Sequence, residues 1–158
     1  MIPAGSRYQS TIDLRRRKAH ASVVRSQNKR IASHHLLVSI VDDDESVRES
    51  LPDLITEFGF AARAFSSAKE FLSSSYVDET MCLILDISMP CMSGPELHQE
   101  LKRRGQSIPI IFITGQKDEI VRARVIKQGA AGFLLKPFSD SDLLDAIKTA
   151  LQILEGSR

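Results

Sequence analysis

The sequence lacks any apolar run near the roughly 20 residues of a membrane-spanning helix, and its N-terminus lacks the apolar core of a secretory signal. It has only two cysteines, Cys82 and Cys91, whose spacing matches neither a disulfide framework nor a zinc site. We therefore expect a soluble, cytoplasmic protein with Cys82 in its core and Cys91 in a loop. At 158 residues, the chain is long enough for one globular domain and short for two.

Acidic residues are almost absent from positions 1–35, where eight Lys and Arg side chains accompany Asp13 alone, a net charge of +7. The other positions carry thirteen basic and nineteen acidic side chains, a net charge of −6. Because residues 1–35 are also poor in apolar side chains, we expect a disordered tail there. Such a basic arm is solvated, binds nucleic acid or an anionic membrane, or results from an upstream start codon.

Five short apolar or β-rich runs begin at Leu36, and helical periodicity fills the gaps between them. The runs are residues 36–41, 61–65, 81–86, 108–114 and 131–135. The third and fourth are continuously apolar, as parallel strands covered by helices on both faces are. The alternation predicts an α/β fold, a five-stranded doubly wound parallel sheet with right-handed crossovers.

Capping patterns predict where three of the helices begin. Ser46 and Glu49 form a capping-box pattern, Pro95 suits a first helical turn, and Ser139 precedes the last helix with Asp142 three residues later. A cap at Ser46 places Pro52 inside the first helix, where it removes the hydrogen bond to the Arg48 carbonyl and causes a kink or a gap.

Ligands of such sheets bind beyond the carboxyl ends of the strands, and polar residues end four of the predicted strands. The first strand ends in Asp42, Asp43, Asp44 and Glu45, the third in Asp86, the fourth in Thr114, and the fifth in Lys136 followed by Pro137. Each residue alone has an ordinary explanation, such as a helix cap for the acids or a solvated charge for the lysine. Together on one rim they predict a site that holds a cation or a proton. Hard oxygen ligands favour Mg²⁺, with Mn²⁺ as the alternative, over zinc.

The motifs "IVDDDESVR", "LILDISMPCMSGPEL", "PIIFITG" and "GAAGFLLKPF" resemble those of response-regulator receiver domains in two-component signalling, most closely receivers of the FixJ type. The resemblance covers about residues 36–154, preceded by the tail 1–35 and followed by a C-terminal tail, 155–158. It implies a flavodoxin-like sheet with strand order 2-1-3-4-5. As a set, the four motifs are highly specific.

The resemblance also implies a role for each site residue. Asp86 is the expected phosphoacceptor, and Mg²⁺ would be held with the help of Asp42, Asp43 and the Ser88 carbonyl. The phosphoryl group would be contacted by Thr114 and Lys136. Phe133 is the expected switch residue, and the Lys136–Pro137 peptide bond is expected to be cis. An aspartate that attacks phosphorus forms an acyl phosphate, while the metal neutralises charge on the phosphoryl oxygens. The domain would support its own phosphorylation and dephosphorylation without being an enzyme on other substrates.

Other classes fit the sequence less well. A flavin binder of this fold needs a Ser/Thr/Gly-rich phosphate loop where this chain places acids. An aspartyl-phosphate phosphatase usually has an acid two residues after its nucleophile, where this chain has Ser88. A phosphorylation-independent pseudo-receiver remains an alternative, although none of the expected site residues is missing.

The expected partner is a histidine kinase or a phosphotransfer protein, with no nucleic acid bound by the receiver domain and no membrane. Only "EGSR" follows Leu154, so we expect either a single-domain regulator or the receiver fragment of a larger transcriptional regulator. Ile120, Val121, Val125 and Ile126 make the apolar stripe of the fourth helix wider than one buried face requires. We therefore expect a homodimer or a docked output protein at the fourth helix and the fifth strand, through Ile120, Val121 and Phe133. The alternative is a monomer in which the isoleucines pack on the fifth helix.

Overall fold

Five parallel strands form a single sheet in the computed structural model, which describes residues 36–156. The strands are β1 (Leu37–Val41), β2 (Ala61–Phe65), β3 (Thr80–Asp86), β4 (Ile110–Thr114) and β5 (Gly132–Leu135). Their order in the sheet is β2-β1-β3-β4-β5, so β1 pairs with both β2 and β3. The predicted fold and strand order are confirmed. The basic tail predicted at 1–35 lies outside the described residues.

Five helices alternate with the strands and cover both faces of the sheet. They are α1 (Glu45–Glu57), α2 (Ala68–Leu72), α3 (Gly94–Arg103), α4 (Glu119–Lys127) and α5 (Asp140–Gly156). One core cluster contains residues of α2, α3 and α4, and the other contains residues of α1 and α5. Each face of the sheet therefore has its own core, and this explains why every residue of β4 is buried. No helix within residues 36–156 is long and apolar enough to cross a membrane.

The first helix begins earlier than the capping pattern predicts. Asp44 is its N-cap, and the Asp44 Oδ1 atom accepts 2.9 Å and 2.7 Å hydrogen bonds from the backbone N–H and the hydroxyl of Ser46. The predicted cap at Ser46 is therefore wrong, because an aspartate caps as well as a serine and this one precedes it by two residues. Pro52 does lie inside α1, as predicted, and the helix continues through it to Glu57.

The other predicted caps agree with the structure. Ser93 and Glu96 form a complete capping box at α3, with Pro95 in the first turn. The Ser139 hydroxyl accepts a 3.1 Å hydrogen bond from the backbone N–H of Asp142 at α5. That last helix continues to Gly156, beyond the expected domain end at residue 154.

The two cysteines lie in different environments. Cys82 is buried within β3, and burial raises the pKa of its thiol to about 12. Cys91 is exposed, as expected of a loop residue.

Ile120 and Ile126 are 75% and 50% exposed, so the alternative in which both are covered by α5 is wrong. The α4 face therefore carries exposed apolar surface on both flanks.

Candidate functional site

The carboxyl ends of four strands bring the predicted site residues together at one edge of the sheet. Asp42 follows β1 directly, while Asp86 and Thr114 are the last residues of β3 and β4. Lys136 follows β5 directly. Because the strands are parallel and adjacent, their carboxyl ends lie at the same edge even where the sequence separates them widely.

Three carboxylates converge at this edge. One oxygen from each of Asp42, Asp43 and Asp86 can be chosen so that all three lie within 4.8 Å of one another. Asp42 is fully buried and Asp86 is nearly so, whereas Asp43 is exposed. This arrangement concentrates negative charge at the rim, with Asp43 on the solvent side.

Lys136 provides the positive charge that partly balances these acids. Its Nζ atom donates a 2.9 Å hydrogen bond to Oδ2 of Asp42 and lies 3.8 Å from Oδ1 of Asp86. Burial opposes its charged form, but the hydrogen bond to Asp42 and the charges of Asp42 and Asp86 outweigh it and raise the Lys136 pKa. The lysine therefore stays protonated between the two acids.

The surroundings of the Asp86 carboxyl strongly perturb its pKa. Burial first, and then the negative charge of Asp42, raise its pKa to about 7, although Lys136 acts in the opposite direction. A carboxylate whose charge is this poorly balanced gains from a bound cation. Two features of its surroundings therefore point to a ligand: the incomplete charge balance and the convergent oxygens.

Backbone contacts hold the loop after β1 in place. The N–H of Asp42 donates to the carbonyl of Phe65 over 3.2 Å, which extends the contact between β1 and β2 by one residue. The N–H of Asp44 donates to Oδ1 of Asp42 over 2.9 Å. Arg48 donates from Nη1 to the carbonyl of Asp42 over 3.0 Å, a contact that sequence reasoning missed. Only its position six residues after Asp42 on the first helix could have suggested it.

A glycine after β3 permits a close backbone approach that sequence reasoning also missed. A Cβ atom on Gly94 would lie 2.4 Å from the backbone oxygen of Asp86, so no larger residue fits without movement. The N–H of Gly94 donates to the carbonyl of Ile87 over 2.9 Å. The loop that contains Ser88 therefore closes tightly on the end of β3, and the "MSG" sequence is its only local signal.

Thr114 connects β4 to the lysine segment. Its backbone carbonyl accepts a 2.7 Å hydrogen bond from the N–H of Lys136, and its hydroxyl accepts a 3.1 Å bond from the N–H of Gln116. Thr114 is buried. The Lys136–Pro137 peptide bond is cis, as the resemblance implied.

The remaining predicted residues lie on the margins of this edge. Ser88 is exposed in the loop two residues after Asp86. Phe133 lies on β5 and is partly buried, with the guanidinium carbon of Arg122 5.7 Å from its ring centroid. A hollow of about 190 Å³ between α4 and β5 is lined by Phe133, Leu135 and residues 117–119 and 122.

Comparison with known proteins decides the family. The model of the response regulator receiver domain matches residues 38–148. This chain belongs to the response regulator receiver domain family. It is therefore a receiver domain of two-component systems, a signalling family and not a classical enzyme.

Several curated proteins are similar to this receiver. Nodulation protein W of Bradyrhizobium diazoefficiens is 46% identical over 121 residues, covering 77% of this chain and 53% of that protein. The response regulator protein TodT of Pseudomonas putida is 42% identical over 122 residues, covering 77% and 54%. The transcriptional regulatory protein FixJ of Azorhizobium caulinodans is 39% identical over 116 residues, covering 73% and 55%. The receiver spans about half the length of these relatives.

Solved structures agree with the fold. The crystal structure of FixJ-N has a TM-score of 0.67 and 39% identity, covering 74% of this chain and 94% of that one. A structure of the response regulator StyR has a TM-score of 0.70 and 44% identity, covering 75% and 60%.

The donor set of this receiver fits a hard divalent cation. Receiver domains typically bind Mg²⁺ through acidic residues, and here Asp42, Asp43 and Asp86 offer carboxylate oxygens within 4.8 Å of one another. Carboxylate oxygens are the ligands that Mg²⁺ prefers. Receiver domains of two-component systems interact with histidine kinases, which is the class of partner that the sequence predicts.

Proposed function

We propose that this receiver takes a phosphoryl group from a histidine kinase or a phosphotransfer protein onto Asp86. The observation that carries the proposal is the convergence of Asp42, Asp86, Thr114 and Lys136 at the carboxyl ends of four adjacent strands. Each residue has a separate task in phosphoryl transfer, and the tasks follow from the chemistry of its side chain.

Asp86 is the nucleophile in this proposal. One of its carboxylate oxygens attacks the phosphorus of phosphohistidine, an O–P bond forms, the N–P bond breaks, and the donor nitrogen keeps the electron pair. The product is an acyl phosphate. The transferred phosphoryl group brings further negative charge next to Asp42 and Asp43. Transfer to Asp86 therefore requires nearby positive charge to offset the repulsion.

Asp42, Asp43, Asp86 and the Ser88 carbonyl would hold Mg²⁺ at this edge, with Mn²⁺ as the alternative. When bound there, the ion would supply positive charge against the negative charge of the phosphoryl oxygens. Lys136 adds a compact positive charge, and the Nζ atom is already 3.8 Å from Asp86 Oδ1. Hydrolysis of the acyl phosphate by water would return the domain to its starting state.

Thr114 and Phe133 would convert this chemistry into a conformational change. The Thr114 hydroxyl donates to a phosphoryl oxygen that exists only after transfer, so this bond stabilises one of two states. As Thr114 moves toward the phosphoryl group, the Phe133 ring turns into the space it leaves. The present partly buried ring, beneath Arg122, is the starting position in this proposal.

The output of the switch would be a surface on α4 and β5. Ile120 is 75% exposed and Val121 packs against the core beside it, so the stripe extends from the core to solvent. A homodimer through Ile120, Val121 and Phe133 would cover it, and docking to an output protein is the alternative.

The names of the relatives support a second proposal about output. TodT is a response regulator and FixJ a transcriptional regulatory protein, and this receiver spans about half of each. We propose that the receiver, residues 36–154, controls transcription through a DNA-binding region, attached or on a partner, and does not bind nucleic acid itself.

Labelling with a small acyl-phosphate donor and Mg²⁺ tests the phosphoacceptor. The wild type should gain one base-labile phosphoryl group, and Asp86→Asn should gain none. The matched control, Asp145→Asn at an exposed position of α5, should be labelled as the wild type is. Equal labelling of Asp86→Asn would contradict the assignment. An unlabelled but folded wild type would favour a phosphorylation-independent pseudo-receiver.

A further inference from the structure

Asp42 lies one residue beyond the regular pairing of β1. The pairing of β1 with both neighbours ends at Val41, opposite Phe65 on β2 and Leu85 on β3. The Asp42 N–H still reaches the Phe65 carbonyl, but the Asp42 carbonyl has passed the end of these two ladders. Because Asp42 is fully buried, its carbonyl needs another hydrogen-bond donor. The Arg48 side chain provides this donor over 3.0 Å.

Four atoms of Asp42 are fixed by hydrogen bonds. Phe65 accepts from its backbone N–H, Arg48 donates to its carbonyl, Asp44 donates to Oδ1, and Lys136 donates to Oδ2. The Arg48 contact differs from the others because it joins the loop to the body of α1 through a long side chain. Arg48 therefore links the end of β1 directly to the body of α1.

We infer that Arg48 is a positioning residue for the divalent cation site, holding the Asp42 carboxylate where it can bind the ion together with Asp43 and Asp86. The inference rests on the proposed function, because it requires the cation site. Arg48 itself would not touch the ion. The hydrogen bond acts through the Asp42 backbone, whose orientation sets the direction of the carboxylate.

The charge of Arg48 would act in the opposite direction to its hydrogen bond. The guanidinium Nη1 lies 3.0 Å from the Asp42 carbonyl oxygen, so its positive charge lies beside the acidic loop. A positive charge there disfavours a second cation. If charge alone mattered, removing Arg48 would strengthen Mg²⁺ binding. If positioning dominates, as we infer, removing Arg48 weakens it.

Two substitutions separate these effects. Arg48→Lys keeps the charge but loses the guanidinium Nη1 atom that reaches the carbonyl of Asp42, and Arg48→Ala loses both the charge and the hydrogen bond. Arg103→Ala is the matched control, since Arg103 is exposed at the far end of α3 and pairs with Glu100. Calorimetric titration with Mg²⁺ gives the affinity of each folded variant, and urea denaturation without the ion verifies that it is folded.

We expect Arg48→Lys and Arg48→Ala to bind Mg²⁺ about tenfold more weakly than the wild type, as for other residues that orient metal ligands. Arg103→Ala should match the wild type. Unchanged binding by Arg48→Lys together with tighter binding by Arg48→Ala would overturn the inference in favour of charge alone, and unchanged binding by both would overturn it outright. If Arg48→Ala does not fold, Arg48→Lys decides alone. A folded wild type that binds no Mg²⁺ would instead overturn the cation site of the proposed function, and this inference with it.

Discussion

Lys136 donates from Nζ to Oδ2 of Asp42 over 2.9 Å, although 94 positions separate the two residues in the chain. The carboxylate end of this pair is fully buried, whereas the lysine side chain is 23% exposed. The lysine therefore stabilises the folded state, because it compensates a charge that water does not reach.

Replacing the lysine should destabilise the protein. Lys136→Met leaves the Asp42 carboxylate buried without its partner, and we expect a loss of about 2 kcal/mol in the free energy of unfolding, below the range for fully buried pairs because the lysine is partly exposed. Urea denaturation measures this loss, with exposed Lys148→Met on α5 as the control. Added Mg²⁺ should reduce the loss, and a variant as stable as the wild type would contradict the compensating role.

Neutralising the candidate phosphoacceptor should have the opposite effect. Asp86→Asn removes one of three convergent negative charges, and we expect it to raise the free energy of unfolding by about 1 kcal/mol at pH 8 without Mg²⁺. The pKa of Asp86 is raised by burial and Asp42 to about 7 from an ordinary 3.8, so the folded state holds this proton more tightly than the unfolded state. The associated stability is present below about pH 4 and is lost as the pH rises through about 7.

The control for this prediction is the ion itself. Mg²⁺ should stabilise the wild type more than Asp86→Asn, because the variant offers the ion a neutral amide in place of a negatively charged carboxylate. Urea denaturation at pH 8 with and without Mg²⁺ gives all four values. A variant less stable than the wild type without Mg²⁺ would show that the acids do not repel one another in the folded state.

Two glycines near the site should respond differently to the same substitution. Gly94→Ala places a Cβ atom 2.4 Å from the Asp86 backbone oxygen, whereas a Cβ atom on Gly115 meets nothing within 4 Å. We expect Gly94→Ala to lose about 1 to 3 kcal/mol, as for other overpacked positions, and Gly115→Ala to change little. Thermal denaturation distinguishes them, and equal midpoints would mean that the loop after β3 moves without cost.

A buried histidine predicts a pH dependence of its own. His98 on α3 is buried, and its Nδ1 atom has no hydrogen-bond partner among the described atoms. Its ring centroid lies 5.8 Å from that of Phe112. Burial, and to a smaller extent the charge of Lys102, lower the pKa of His98. The unfolded state then binds the proton more readily, so this contribution to stability is full above about pH 6.5 and is lost as the pH falls below it.

His98→Leu removes this titration and isolates its effect. The stability difference between wild type and variant, measured by urea denaturation, should shift in favour of the variant as the pH falls from 7.5 to 5.5. Comparing the two proteins at each pH cancels the contribution of Asp86, which has the opposite sign. A difference that is the same at both pH values would contradict the lowered pKa.

Dimerisation should depend on one flank of α4. Sedimentation with a phosphoryl mimic and Mg²⁺ should show a mass increase for the wild type that Ile120→Glu abolishes, because a charge at the centre of an apolar contact is costly to bury. Ile126→Glu, also an exposed isoleucine of α4 but on the other flank, is the matched control. An equal loss in both variants would contradict the interface through Ile120, and no mimic-dependent increase would leave docking to an output protein.

Some features near the site could not be predicted because local sequence allows two answers. Asp44 and Ser46 are both good helix caps two residues apart, and the structure uses Asp44 because its carboxylate reaches the Ser46 N–H and hydroxyl at once. The isoleucines of α4 are similar: their spacing shows a wide apolar stripe, but only packing shows that Val125 is buried while Ile120 is not.

The sequence by itself determined the strand and helix alternation and the polar residues that end four strands. Those signals are local, since apolar runs, caps and strand ends are legible within a few residues, and parallel strands necessarily place their carboxyl ends at one edge. Tertiary structure alone decided that Lys136 hydrogen-bonds Asp42, that Arg48 holds the Asp42 carbonyl, and that Gly94 touches Asp86. These contacts depend on strand register and on side-chain positions in segments that fold together from distant parts of the chain, which no local pattern specifies.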